Sequence, residues 1–283
     1  MVSLIEKAKK ISSNLPGLLF ELEKTRSTYK GISKQKKYGL GEEFWEFKSY
    51  QMGDPLNKID WKKSAKNQKL IIKNNELENS KRIWIWIDKS VSMNYRFSKN
   101  TETKLDRAIV LSIVLVDIFL RSGEKVGIIG SKLGIKKGNE SFLDLSVSIL
   151  SDKLKPLDRR VKKGDYVIFL SDFIDDPNIL RKNFISLSDC TYDALLVQVL
   201  DLSELTFPFV GKKQFYDPKS GIHRLITKSE NMKETYKEEM RFHNEKLENI
   251  CKKLGWQFLR NITNESYNSI INKIYSNFMN YDN

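Results

Sequence analysis

Short, unbroken apolar runs recur along the second two thirds of the chain. Residues 83–87 read Ile-Trp-Ile-Trp-Ile, residues 125–130 Lys-Val-Gly-Ile-Ile-Gly, residues 165–172 Asp-Tyr-Val-Ile-Phe-Leu-Ser-Asp and residues 194–200 Ala-Leu-Leu-Val-Gln-Val-Leu. Runs this short and this uniformly apolar predict strands buried on both faces, as in a parallel sheet covered by helices. Longer stretches with helical character lie between them. Residues 105–120 are almost continuously apolar and stop before Ser122-Gly123; residues 141–154 are amphipathic; residues 177–187 open on Pro177, a residue suited to a first helical turn. Residues 202–227 are rich in turns and aromatics and predict an edge hairpin. A charged helix over 228–254, a short strand over 256–259 and a closing helix over 266–278 complete the pattern. Strands that alternate with helices predict an α/β fold, a doubly wound and mostly parallel sheet flanked by helices, over residues 83–283.

Residues 1–82 follow another pattern. Residues 2–28 carry Leu and Ile at helical spacing, broken by Pro16-Gly17, so two short helices or one kinked helix are expected. Residues 29–38 are basic and read as a loop. Beyond them come an aromatic stretch (Phe44, Trp45, Phe47, Tyr50), a Gly53-Asp54-Pro55 turn, a short helix over 62–68 that Asp60 is placed to cap, and a strand from Leu70. These residues are expected to form an N-terminal α+β extension packed on the main domain.

Composition narrows the function classes. The 283 residues carry a formal net charge of +13, which favours acidic partners, nucleic acid or anionic membrane. The basic residues are spread along the chain, so the charge is read first as a compositional habit. Two cysteines, Cys190 and Cys251, and two histidines, His223 and His243, give neither a zinc pattern nor a disulfide framework. The N-terminus lacks an apolar core of signal-peptide length, and the apolar stretch over 108–120 is too short to span a bilayer. A soluble cytoplasmic protein is expected.

The candidate chemistry lies where the first buried strand ends. Asp88, Ser90 and Ser92 place one carboxylate and two hydroxyls in a single loop, at the end of the strand where open α/β sheets bind ligands. Such a set suits a hard cation such as Mg²⁺ (or Mn²⁺), which takes few protein ligands and keeps several waters. Asp and Ser are equally ordinary turn and N-cap residues, so both readings of the loop stand. Asp172, at the end of the 165–172 strand, offers a second carboxylate.

The string from Gly39 to Met93 resembles the signature of the bacterial family called domain of unknown function 58. Gly39, Gly41, Glu43, Phe44, Lys48, Tyr50, Gly53, Asp54, Ile59, Asp60, Trp61, Ser64, Ala65, Glu78, Asp88, Ser90, Ser92 and Met93 keep its order and spacing, with Lys48 where an Arg is usual. The resemblance implies a von Willebrand factor A-like domain with a metal-ion-dependent adhesion site. By that analogy Asp88, Ser90 and Ser92 form its first loop and Asp172 supplies its third. The second-loop Thr has no counterpart, and Ser141 is the substitute. In such sites the cation leaves one position open for a partner's Asp or Glu. The implied role is a non-enzymatic adaptor or co-chaperone that works with an AAA+ ATPase of the MoxR type and links it to a client or a membrane-bound complex. Lys48, Tyr50, Asp54, Asp60 and Trp61 are the candidate partner-binding residues of the signature, which serves either as that surface or as a structural extension.

Two rivals come from other classes. A Mg²⁺-dependent phosphoryl-transfer enzyme would use Asp88, Ser90 and Asp172, but a haloacid-dehalogenase-like site would want Asp where Ser90 stands, and no nucleophile–base pair with His is evident. A nucleic-acid-binding protein would use the positive charge with Trp45, Phe47, Tyr50 and Trp61, and its binding would depend steeply on salt.

Overall fold

The computed structural model describes residues 2–15, 44–50, 59–67, 69–75, 80–151, 160–188, 193–217 and 221–279. Two compact units make up the chain, residues 22–80 in one and residues 1–21 with 81–283 in the other. The first helix, α1 (Val2–Ser12), therefore belongs to the larger unit and not to the one that carries most of the signature. There Lys9 pairs with Asp117, and the Arg121 guanidinium donates to the Ser12 and Leu15 carbonyls. Pro16-Gly17, the basic stretch over 29–38 and Asp54 lie outside the described residues.

In the smaller unit, β1 (Phe44–Ser49) pairs antiparallel with β2 (Ile71–Asn75), with a register shift between Phe44 and Glu46. Between them runs the short helix α2 (Trp61–Asn67). Its first turn is held as the sequence suggests: the Lys63 amide donates to the Asp60 carboxylate at 2.9 Å, which satisfies one of the free N–H groups of a helix start. Ser64, buried inside α2, accepts from the Ile71 amide at 2.8 Å and so ties helix to strand.

The larger unit is a five-stranded sheet built from β3 (Arg82–Ile87), β4 (Lys125–Ile128), β5 (Tyr166–Ser171), β6 (Asp193–Leu200) and β9 (Gln257–Ile262). All four pairings are parallel, and the order is β4-β3-β5-β6-β9. Alternate residues of each strand feed opposite faces. Ile83, Ile85 and Ile87 point into one core with α1, α3 (Lys104–Arg121), α4 (Phe142–Ser151) and α8 (Tyr267–Met279). Trp84, Val167, Phe169 and Leu196 point into the other, with α5 (Pro177–Ser188) and α7 (Lys233–Leu254). Two covered faces explain why the strands read as continuous apolar runs. The predicted edge hairpin is present as β7 (Lys213–Tyr216) and β8 (His223–Ile226), antiparallel and largely exposed. A short helix, α6 (Leu202–Thr206), precedes it.

The order also fixes where a ligand site can form. The chain leaves β3 in one direction to make β4, then crosses back to lay β5 on the other side of β3. The loops after β3 and β5 therefore diverge and open a crevice between them, the switch point at which parallel α/β sheets bind ligands. Asp88 and Asp172 follow these two strands.

A glycine keeps the edge of the sheet in register. Gly127 pairs across from Trp84, and a Cβ there would lie 2.5 Å from the tryptophan ring, whose Nε1 donates to Asp165 at 2.7 Å. Gly127→Ala must push a buried tryptophan off its hydrogen bond. It is expected to cost about 1–3 kcal/mol, as overpacked cores do, read as a lowered midpoint of urea unfolding.

Candidate functional site

The strand-end crevice is built from three acids, each following a parallel strand. Asp88 is fixed first. Its amide donates to the Leu170 carbonyl at 2.9 Å, its Oδ1 accepts from the Ser90 amide at 2.8 Å, and its Oδ2 accepts from the Ser171 hydroxyl at 2.7 Å. The carboxylate is thus bound to its own loop and to the end of β5. Ser90 precedes a single 3-10 turn (Val91–Asn94), and that turn brings the Ser90 and Ser92 hydroxyls within 3.0 Å of each other. Met93, fully buried, pins the turn from below.

Asp172 is placed differently. Its carboxylate is almost wholly buried and accepts from Lys104 Nζ at 2.9 Å, while its carbonyl accepts from Gln198 at 3.2 Å. The same Nζ donates to Glu204 at 2.7 Å. The next residue, Phe173, holds a left-handed backbone at φ 50°, a conformation that costs a bulky residue energy. Two bonds hold it: its amide donates to the Ser171 hydroxyl, and its carbonyl lies 2.7 Å from His243 Nε2.

Asp201, the third acid, works as a cap. Its Oδ1 takes the Ser203 amide and hydroxyl, its Oδ2 takes the Phe97 amide, and Glu204 reaches back to the Asp201 amide at 2.7 Å. This is a complete capping box at the start of α6. Ser203 also bonds the Tyr95 hydroxyl at 2.8 Å, so α6 is fastened to the loop that follows the serine turn. Beside these groups lies a cavity of about 500 Å³ lined by Ser92, Lys104, Glu204, Phe209 and the hairpin aromatics Phe215 and Tyr216.

The sequence-predicted residues thus fall into three groups. Asp88, Ser90 and Ser92 converge in one loop. Asp172 is in the same crevice but is paired with Lys104. Ser141 is buried in a 3-10 turn (Asn139–Ser141), where its hydroxyl donates to the Lys137 carbonyl at 3.1 Å. Lys104, Glu204 and Asp201 went unassigned by sequence reasoning. For Lys104 a signal existed: a lysine in the first turn of an apolar helix, where an acid is favoured.

One carboxylate and two hydroxyls suit a Mg²⁺ that completes its shell with water. The described residues contain no group of three or more His, Cys, Asp or Glu side chains able to hold a metal. The fit therefore rests on the first loop, where Asp88 supplies the carboxylate and the paired Ser90 and Ser92 hydroxyls supply the neutral oxygens.

The signature residues belong to the smaller unit. Asp60 caps α2, half-buried Tyr50 donates its amide to the Leu70 carbonyl at 2.8 Å, and Trp61 is 65% exposed. The side chain of Lys48 lies outside the described residues, as does Asp54.

The family model described as Protein of unknown function DUF58 matches residues 46–246. The chain belongs to this DUF58 family. Curated relatives include Uncharacterized protein Mb1516 of Mycobacterium bovis and Uncharacterized protein Rv1480 of Mycobacterium tuberculosis. Each is 26% identical over 221 residues, which is 66% of this chain and 63% of theirs. The chain thus spans a little under two thirds of the length of these relatives. Among solved structures, it is similar to the conserved hypothetical protein BatB from Bacteroides thetaiotaomicron, with 15% identity and a TM-score of 0.42 over 71% of this chain and all of that one. An aerotolerance-related membrane protein from Bacteroides fragilis gives 15% identity and a TM-score of 0.41 over the same shares.

Burial, opposed by Lys104, raises the Glu204 carboxyl above its ordinary value of 4.5. A raised carboxyl binds its proton more tightly in the folded state, so stability falls as pH rises from 4.5 through the raised value. Glu204→Gln is expected to flatten that part of the stability profile, followed by urea unfolding at closely spaced pH values. An unchanged slope would mean that Glu204 does not titrate there.

Proposed function

We propose that this DUF58 protein is a non-catalytic protein-interaction module with a von Willebrand factor A-like domain, and that its strand-end crevice recognises a partner's carboxylate. The observation that carries the reading is the convergence of the Ser90 and Ser92 hydroxyls, 3.0 Å apart, on the loop of a fixed Asp88 at the sheet's switch point. Asp88, Ser90 and Ser92 would hold a divalent cation, which supplies an open coordination position for an outside Asp or Glu. The residues themselves do the positioning. Ser171 orients Asp88, and the 3-10 turn orients the two hydroxyls.

The settings of the described His243, His223 and Cys251 support an adaptor over an enzyme. His243 is engaged with the Phe173 carbonyl, and the His223 ring lies 3.2 Å from Gln214 in the exposed hairpin. Burial pushes the Cys251 thiol up to about 12, far from a nucleophile's range. The partners we name are an AAA+ ATPase of the MoxR type and a protein that presents an acidic side chain, with exposed Trp61 as a second contact. No helix among the described residues is long and apolar enough to cross a membrane.

Thermal unfolding under increasing Mg²⁺ tests this reading. A cation that binds only the folded protein adds about 2.7 kcal/mol at a hundred times its dissociation constant. The wild type is expected to shift upward in millimolar Mg²⁺ and Asp88→Ala is not. Equal shifts in both proteins would remove the cation from this loop.

A further inference from the structure

The most buried charge of the crevice has no part in the reading above. Lys104 is 1% exposed and opens α3, whose residues are almost all buried, yet its ammonium is bonded to two carboxylates, Asp172 at 2.9 Å and Glu204 at 2.7 Å. Each acid is held from its other side as well. The second oxygen of Asp172 lies 3.4 Å from the Ile174 amide, and that of Glu204 accepts from the Asp201 amide. The ammonium comes from α3 and the acids from the loop after β5 and from α6, so three elements deliver one pre-formed cluster. Asp172 is also the carboxylate that the neighbouring strand end would offer to a cation at Asp88.

We propose that Lys104 is the built-in counter-ion of the crevice. Its ammonium holds Asp172 away from the Asp88 loop, so a divalent cation there is bound through Asp88, Ser90 and Ser92 alone. This rests on the cation reading of that loop. The physical reason is charge. A buried carboxylate must be paired, and removing one partner of a buried pair leaves an uncompensated charge. For Asp172 to turn to a cation, Lys104 would have to give up one of its two anions inside the protein. A site with one carboxylate binds a divalent ion more weakly than a site with two. The crevice therefore keeps its shape without metal, and its cation affinity is set low by a residue that never touches the ion. Ser92, Lys104 and Glu204 line the same cavity, so the fixed positive charge borders the space next to the serine turn.

Mn²⁺ binding, measured by water-proton relaxation, tests the proposal on the full chain. The variants are Asp88→Ala, Asp172→Asn, the pair Lys104→Met with Glu204→Gln, and that pair with Asp172→Asn added. The pair removes one positive and one negative charge, so the net charge of the cluster is unchanged. We expect Asp172→Asn alone to leave Mn²⁺ affinity essentially as in the wild type. The pair should tighten it about tenfold or more by freeing a second carboxylate, a gain that the added Asp172→Asn abolishes. Weakened binding in Asp172→Asn would overturn the proposal, because Asp172 would then already be a ligand. So would a folded pair that binds no tighter than the wild type, including the case in which neither binds. Should the pair not fold by circular dichroism, the Asp172→Asn result decides alone. Mn²⁺ binding that survives Asp88→Ala would instead sink the reading of the loop, and the proposal with it.

Discussion

A buried carboxylate at the end of a strand has to find a positive partner or lose its proton-free form, and in this protein that requirement organises the crevice. Asp172 and Glu204 share the ammonium of Lys104, at 2.9 and 2.7 Å. Through Lys104 the cluster ties down the first turn of α3, which Thr103 caps. Through Glu204 it closes the capping box of α6, and through Asp172 it fixes the loop that carries the strained Phe173. Truncating one partner of such a pair costs about 3–5 kcal/mol, more than most single side chains contribute. The serine turn beside it can then present its hydroxyls from a rigid base.

The crevice exists because of the order in which the strands are laid down. β3 and β5 are neighbours in the sheet, but their following loops run to opposite sides, since β4 lies beyond β3 and β6 beyond β5. Asp88 bridges the two strands at their ends, with its amide on Leu170 and its Oδ2 on Ser171. The carboxylate that marks the candidate site is thus also a clasp across the switch point.

Much of this was legible in the sequence, for physical reasons that differ by element. The strands were legible because burial on both faces leaves a continuous apolar run, as in Ile83–Ile87. Asp60 was legible as a cap because capping is local, and the Asp88 loop because its three oxygens are close in the chain. The Lys104–Asp172–Glu204 cluster was not legible, since its members are 68 and 100 residues apart and only the fold brings them together. Ser141 shows the same limit from the other side. Its hydroxyl donates to the Lys137 carbonyl of its own turn, a bond that no pattern in the sequence announces. The grouping of α1 with the larger unit also depends on pairs such as Lys9 with Asp117, which no local pattern announces.

The measurement that bears most directly on the account is a crystal structure of the protein soaked in Mn²⁺, with the ion located by its anomalous scattering. The account predicts one Mn²⁺ held by Asp88, Ser90 and Ser92, with water in its remaining positions and the Lys104–Asp172 pair intact. A Mn²⁺ coordinated by Asp172 with Lys104 displaced, or one bound away from the Asp88 loop, would contradict it.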